Sequence, residues 1–251
     1  MSRSAAKLIG QFYSPEEVAS TLVNWLNPSA SDRLLDPSCG DGRFISRHPN
    51  SVGVDMSAMS CEQARLRAPS ATIHEANFFM WAARTSERFE CVAGNPPFIR
   101  YQHFNGSLRK QALDLSAQQG AKFSALTSSW APFVVVAASL LRPNGRMAFV
   151  VPAEIGHSSY STTVLEYLIS YFERVVIVAI KEKIFSELSE DVWLLYATGK
   201  GGKASFVELA VWDKFVTSQS PLERAKKISI QRLRQHRMRL RRFILSDAVL
   251  D

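Results

Sequence analysis

Apolar residues recur along this chain in short runs that each stop at a polar side chain or a glycine turn. The segments Arg33–Asp36, Ser51–Asp55, Thr72–Ala76 and Phe89–Ala93 are rich in β-branched and aromatic residues, and each reads as a short strand. Polar residues close them at Asp36, Asp55, Asn77 and Asn95, about twenty residues apart. Helical spacing appears between and before them. Ser14-Pro15-Glu16-Glu17 has the pattern of a capped start, with Val18, Leu22, Val23 and Leu26 on one face as far as Leu26. Further helices are expected from about Ala58 to Arg67, from Trp130 to Leu141 and from Tyr160 to Phe172. Later strands are expected at Arg146–Val151, Arg174–Ile180, Asp191–Ala197 and about Lys203–Val211, with turns at Arg142–Gly145 and Gly199–Gly202.

Strands alternating with helices at this spacing predict right-handed βαβ units: an α/β fold, a doubly wound and mostly parallel sheet with ligands at the carboxyl ends of its strands. The polar strand ends would then share one crevice. Asp36 leads into Pro37-Ser38-Cys39-Gly40-Asp41-Gly42, where glycines let backbone amides approach a ligand, and a helix is expected from Arg43. Asp36 and Asp41 would repel a pyrophosphate, so a cationic or zwitterionic ligand suits this loop better. Asp55 is placed to accept hydrogen bonds from two ribose hydroxyls, or to cap the following helix. Asn77 could read an adenine edge with Phe78 stacked on its face; as a cluster, Asn77 to Trp81 also reads as core packing.

A chain of 251 residues with 46% hydrophobic content can bury a sizeable core. Residues 1–11 lack the apolar stretch of a signal peptide, and the longest apolar run, Pro132 to Leu141, is too short to span a bilayer; a cytoplasmic protein is expected. Cys39, Cys61 and Cys91 have neither disulfide nor metal-ligand spacing, which points to chemistry without a metal. The formal charge of +7 is concentrated at one end, with nine Lys or Arg against three Asp or Glu from Leu222 to Asp251. The expected division is a body over residues 1–211 and a basic helical extension over residues 212–251. Within that extension Leu222 to Leu245 is expected to be one helix, with Ile230, Leu233, Leu240 and Ile244 as a short apolar seam for a partner or a second copy. Basic side chains there could also neutralise phosphates, or be only a solvated face.

The most distinctive chemistry follows the fourth strand, at Gly94-Asn95-Pro96-Pro97-Phe98. Neither proline can extend a ladder, and each holds the residue before it extended. The Asn95 amide oxygen and the Pro96 carbonyl are thereby turned outward as two acceptors suited to an exocyclic amine, and Phe98 offers a flat ring to a planar heterocycle. Phe185, at the mouth of a later strand pair, could close the second face of that heterocycle or belong to the core. Residues Ile99 to Ala125 form a polar, partly helical insertion that could be a substrate-facing lid or a surface connection.

The series Tyr13-Ser14-Pro15, Leu35 to Gly42, Val52-Gly53-Val54-Asp55, Asn77-Phe78-Phe79 and Asn95-Pro96-Pro97-Phe98 resembles the N6-adenine DNA methyltransferases of the gamma group, the catalytic halves of restriction–modification enzymes. The resemblance covers about residues 12–200. It implies a seven-stranded sheet that binds S-adenosylmethionine. Ser14 with Asp36, Pro37, Ser38 and Gly40 would hold the methionine end, Asp55 the ribose, and Asn77 with Phe78 the adenine. Related enzymes carry Asp where Asn77 stands and often Tyr where Phe98 stands. Asn95, Pro96 and Phe98 would be catalytic, and Pro97, Phe98 and Phe185 would contact a base flipped out of double-stranded DNA. The resemblance also implies a target-recognition domain, where here only a basic helix follows; sequence specificity is therefore expected from a partner subunit or a further domain. Methylation of RNA adenine or protein glutamine, and a non-catalytic cofactor-binding subunit, are the alternative readings.

Overall fold

The computed structural model describes residues 13–185, 191–219 and 225–245. Its centre is one nine-stranded sheet: β1 (Leu34–Asp36), β2 (Ser51–Asp55), β3 (Thr72–Glu75), β4 (Phe89–Gly94), β5 (Leu141–Pro152), β6 (Phe172–Ile180), β7 (Val192–Lys200), β8 (Phe206–Trp212) and β9 (Lys226–Ser229). Their spatial order is β3-β2-β1-β4-β5-β7-β6-β8-β9. The first five in that order are mutually parallel. Beyond them β7 runs antiparallel to both β5 and β6, β8 is parallel to β6, and β9 is antiparallel to β8. The expected seven-stranded, mostly parallel sheet is thus corrected to nine strands of mixed direction.

Strict period-two burial explains why the sheet takes helices on both faces. Met147, Phe149 and Val151 of β5, Val175 and Ile177 of β6, and Trp193 and Leu195 of β7 enter one apolar cluster. Their neighbours Ala148, Val150, Val176, Val178, Leu194 and Tyr196 enter the other. The first cluster is covered by α3 (Phe78–Ala82), α4 (Gly106–Gln118), α5 (Trp130–Ser139) and α6 (Ser161–Tyr171). The second is covered by α1 (Glu16–Leu26), whose Val18, Ala19, Leu22 and Leu26 are fully buried. A third, small cluster joins α2 (Ala58–Arg67) to the loop after β1 through Ala64, Cys39 and Ile45.

Several boundaries move for identifiable reasons. Pro15, not Ser14, occupies the N-cap position of α1, and no side chain caps that helix. The helix expected from Arg43 is only a single turn, Ile45–Arg47. The turn at Arg142–Gly145 loops out of β5 as a bulge between the Phe89/Leu141 and Cys91/Arg146 pairs, with Asn144 at φ 63°. Of the continuous helix expected over Leu222 to Leu245, residues 222–224 lie outside the described residues, and the rest is corrected to β9 followed by α7 (Ile230–Gln235) and α8 (Arg241–Leu245). Arg237 and Met238, at φ 53° and 56°, break the backbone between the two helices. Leu233 and Leu240 of the expected seam are completely buried in the molecule's own core, so they are not surface for a partner. Among the described residues, no helix is long and apolar enough to cross a membrane.

Candidate active site

Asp36, Asp55, Asn77 and Asn95 lie at or just beyond the ends of four adjacent parallel strands, so the topology brings the expected strand-end residues to one edge of the sheet. The loop after β1 and the loop after β4 meet directly. Ser38 Oγ donates to the Asn95 backbone carbonyl at 3.2 Å. A Cβ added at Gly94 would sit 2.6 Å from Asp36 Oδ1, so glycine is the residue that lets the two strands close at this point.

The β1 loop is built around buried carboxylates. Asp36 is 1% exposed; its Oδ1 accepts from the Ser38 amide at 3.0 Å, whereas its Oδ2 is buried with no hydrogen-bond partner. Burial pushes its pKa up to about 8, with the nearby charges of Asp55 and Asp41 adding to the effect against the Ser38 bond. Asp55 is fixed by two backbone amides, accepting from Gly40 at 2.9 Å and from Ser57 at 2.9 Å. Gly40 and Gly42 both adopt positive φ, at 52° and 88°, and a Cβ at Gly40 would press on the Tyr13 ring at 3.1 Å. Ser14 is 3% exposed, and its Oγ too is buried without a partner. Arg43 ties the entrance together, donating to the Ser14 carbonyl at 2.7 Å and to Asp41 at 3.0 Å.

The β4 loop is anchored from outside itself. Ser129, immediately before α5, donates through Oγ to the Pro97 carbonyl and accepts from the Ile99 amide at 2.9 Å, while its own amide bonds the Ile99 carbonyl at 3.0 Å. The carbonyls on either side of Pro96 are thus held by Ser38 and Ser129, which sets the direction of the Pro96 carbonyl between them. Pro96 and Asn95 Oδ1 are buried, Pro97 is half-buried, and Phe98 is half-buried between the two core clusters.

Three expected residues take other surroundings. Asn77 caps α3, its Oδ1 accepting from the Met80 amide at 3.1 Å, and its Nδ2 lies 3.2 Å from the Met56 sulfur. Phe78 is 2% exposed and stacks on Phe133 at 5.1 Å between ring centroids, so it is a core residue rather than an open platform. Phe185, expected at an exposed strand mouth, is 7% exposed and packed in the same cluster as Val18, Leu22 and Val192. Residues the sequence did not single out include Ser129, and Met56, which is 64% exposed beside Asp55. Glu154 is a third: its Oε1 accepts from Trp130 Nε1 at 2.6 Å beside the loop anchored by Ser129. Asn-Pro-Pro-Phe carries its own signal, but a serine thirty residues downstream carries none.

The fold recurs in solved structures. A type I restriction–modification methyltransferase subunit from Streptococcus thermophilus superposes over 92% of this chain and 58% of its own, with a TM-score of 0.73 at 15% identity. A protein assigned to the class I S-adenosylmethionine-dependent methyltransferases, from Listeria monocytogenes, matches 83% of this chain and 67% of its own, with a TM-score of 0.63 at 16% identity. The fold is that of the class I methyltransferases. Sequence then narrows the class. The model of the Eco57I restriction-modification methylases matches residues 50–185, and that of the N-6 DNA methylases matches residues 1–63. The chain belongs to the Eco57I restriction-modification methylase family of N6-adenine DNA methyltransferases. The type II methyltransferase M.CvrRI of Paramecium bursaria Chlorella virus XZ-6E is 25% identical over 186 residues, covering 70% of this chain and 45% of the viral protein. The chain spans less than half the length of the curated relatives it matches.

Proposed function

We propose that this chain transfers a methyl group from S-adenosylmethionine to the N6 amino group of adenine in double-stranded DNA. The observation that carries this reading is the Asn95–Phe98 loop, locked from both sides by Ser38 and Ser129 at the sheet edge where the buried acid Asp36 holds one oxygen without a donor.

The residues present fit the cofactor. Asp36 Oδ2 and Ser14 Oγ are partnerless buried groups that a cationic, hydrogen-bonding methionine end would satisfy. Gly40 keeps the loop backbone open, with Pro37 and Ser38 shaping its turn. Asp55, oriented by two amides, retains lone pairs for ribose hydroxyls. At the adenine end Asn77 presents its Nδ2 side, exposed Met56 and Met80 flank it, and Phe78 supports the wall from behind. When bound, S-adenosylmethionine supplies an electrophilic sulfonium methyl.

An adenine amine is a weak nucleophile because its lone pair is delocalised into the ring. Asn95 Oδ1 and the Pro96 carbonyl would accept its two N–H groups and favour a pyramidal nitrogen aimed at the crevice. Pro97 and Phe98 form the apolar contact for the base, at roughly 1–3 kcal/mol per aromatic stacking contact, which offsets the cost of unstacking. Phe185 backs that surface from within the second core cluster. The same two acceptors could take a glutamine amide, so the test compares substrates directly. Nucleoside and peptide mass spectrometry after incubation with mixed-sequence DNA, RNA and protein is expected to show N6-methyladenine in DNA. Product confined to RNA or to glutamine would overturn the DNA reading while leaving the fold intact.

A further inference from the structure

From Arg237 to Phe243 the chain reads Arg-Met-Arg-Leu-Arg-Arg-Phe. Met238, Leu240 and Phe243 are 2%, 0% and 3% exposed, whereas all four arginines are exposed. Positive φ at Arg237 and Met238 turns the strap, and Thr162 holds the Arg237 carbonyl at 3.3 Å. Its arginines are therefore displayed by a segment pinned to the core rather than by a loose tail. One turn earlier Arg234 is neutralised by a bidentate pair with Glu166 at 2.8 and 2.9 Å. Arg237, Arg239, Arg241 and Arg242 make no ion pair among the described residues.

The strap also reaches the substrate side of the molecule. Arg241 lines a cavity of about 360 Å³ together with Arg100 and Tyr101, which follow the Asn95–Phe98 loop, and with Ser128, Glu154 and Tyr160. Arg241 and Arg239 both bear on His157, whose pKa burial and these cations hold below its ordinary value. Glu154 and Asp191 share the cavity wall, so its interior is not an anion site. The cationic surplus lies along the strap outside it.

We propose that the Arg237–Arg242 strap is a docking surface for the phosphate backbone of duplex DNA, gripping the strand beside the nucleotide presented to the Asn95–Phe98 loop. This rests on the reading of DNA as the substrate. A pinned row of exposed cations next to a cavity lined by Arg100 and Tyr101, the residues just after the Asn95–Phe98 loop in the chain, matches a polyanion extending past a single inserted base. Such contacts position the duplex and are independent of sequence, so they act whatever element supplies specificity.

The test is fluorescence anisotropy of a labelled duplex across a salt series. It compares the wild-type chain, the triple variant R237Q/R239Q/R242Q, its Lys counterpart, and a charge-matched control, R65Q/R84Q/R88Q, at exposed arginines of α2 and of the segment between α3 and β4. Thermal melts confirm folding, and N6-methyladenine formation is read in parallel. The Gln strap variant is expected to bind at least about tenfold more weakly at low salt, with a log–log salt slope shallower by roughly 2–3. The Lys variant should restore the slope, and the control should stay within about twofold of wild type. An unchanged slope in the strap variant, or an equal loss in the control, overturns the strap assignment while leaving the DNA reading in place. A wild-type chain that neither binds duplex nor yields N6-methyladenine overturns both.

Discussion

The loops after β1 and β4 touch one another, yet they are held rigid by opposite means. The β1 loop bends through Gly40 and Gly42 at positive φ and buries polar groups that the protein does not satisfy, Asp36 Oδ2 and Ser14 Oγ. The β4 loop has no positive-φ residue; it is stiffened by two prolines and its flanking carbonyls are bonded to Ser38 and Ser129. A buried acceptor without a donor costs about 1–3 kcal/mol in the free protein and is recovered when a ligand supplies that donor. The β4 loop also holds a buried acceptor, Asn95 Oδ1, but its flanking carbonyls are already bonded, which keeps that oxygen and the Pro96 carbonyl in place for a ligand's donors. Under the proposed function the first loop is built to bind, and the second to aim.

Replacing Asp36 should separate the two loops most strongly. In the unfolded chain Asp36 ionises near 3.8, whereas burial in the fold raises its pKa to about 8. Between those values the folded, ligand-free protein holds a proton that the unfolded chain has released. The resulting stability is present below pH 4 and is lost as pH rises toward 8. Asp36→Asn removes that dependence, so the ligand-free variant should melt several degrees above wild type at pH 8.5 and close to it at pH 5, in calorimetry. Cofactor affinity should fall about 100-fold, the loss of one charge-assisted bond. In the wild type, affinity for a cationic cofactor should rise with pH up to about 8, measured by titration calorimetry; a flat profile would mean that Asp36 does not meet the cation.

Ser129→Ala addresses the second loop alone. Losing its anchor to the Pro97 carbonyl should lower kcat about tenfold with KM for the cofactor unchanged, the signature of an interaction that positions rather than binds. A rise in KM with kcat intact would erase the distinction between the loops. Ser14→Ala should have the smallest effect. Removing an unsatisfied buried hydroxyl leaves ligand-free stability unchanged or slightly higher, while cofactor affinity falls only a few-fold, both readable in a ligand-dependent thermal shift.

The same contrast governs what the sequence disclosed. β1 to β4, α2 and the polar strand ends were legible because each is written in adjacent residues: an apolar run, a glycine or proline stop, a cap. The insertion of β7 between β5 and β6 was not, because period-two patterning specifies faces and not neighbours. β9 was missed because four residues, Lys226–Ser229, carry too little alternation to outweigh the helical spacing that follows. That spacing was real, but α7 and α8 satisfy it as two short helices with Arg237 and Met238 between them. At the site, Asp36 and Asn95 announce themselves. Ser129 bonds Pro97 across 32 residues, and Phe78 loses its face to Phe133, contacts that arise only once the helices pack.

The most direct test measures binding and transfer on one variant, Asn95→Ala. If the β4 loop aims and the β1 loop binds, S-adenosylmethionine affinity should remain within about threefold of wild type. N6-methyladenine formation in DNA should fall by about 10²–10³-fold or more, the scale set by removing one well-placed hydrogen-bonding group from a reacting centre. Retained methyl transfer, or loss of cofactor binding together with activity, would contradict the account.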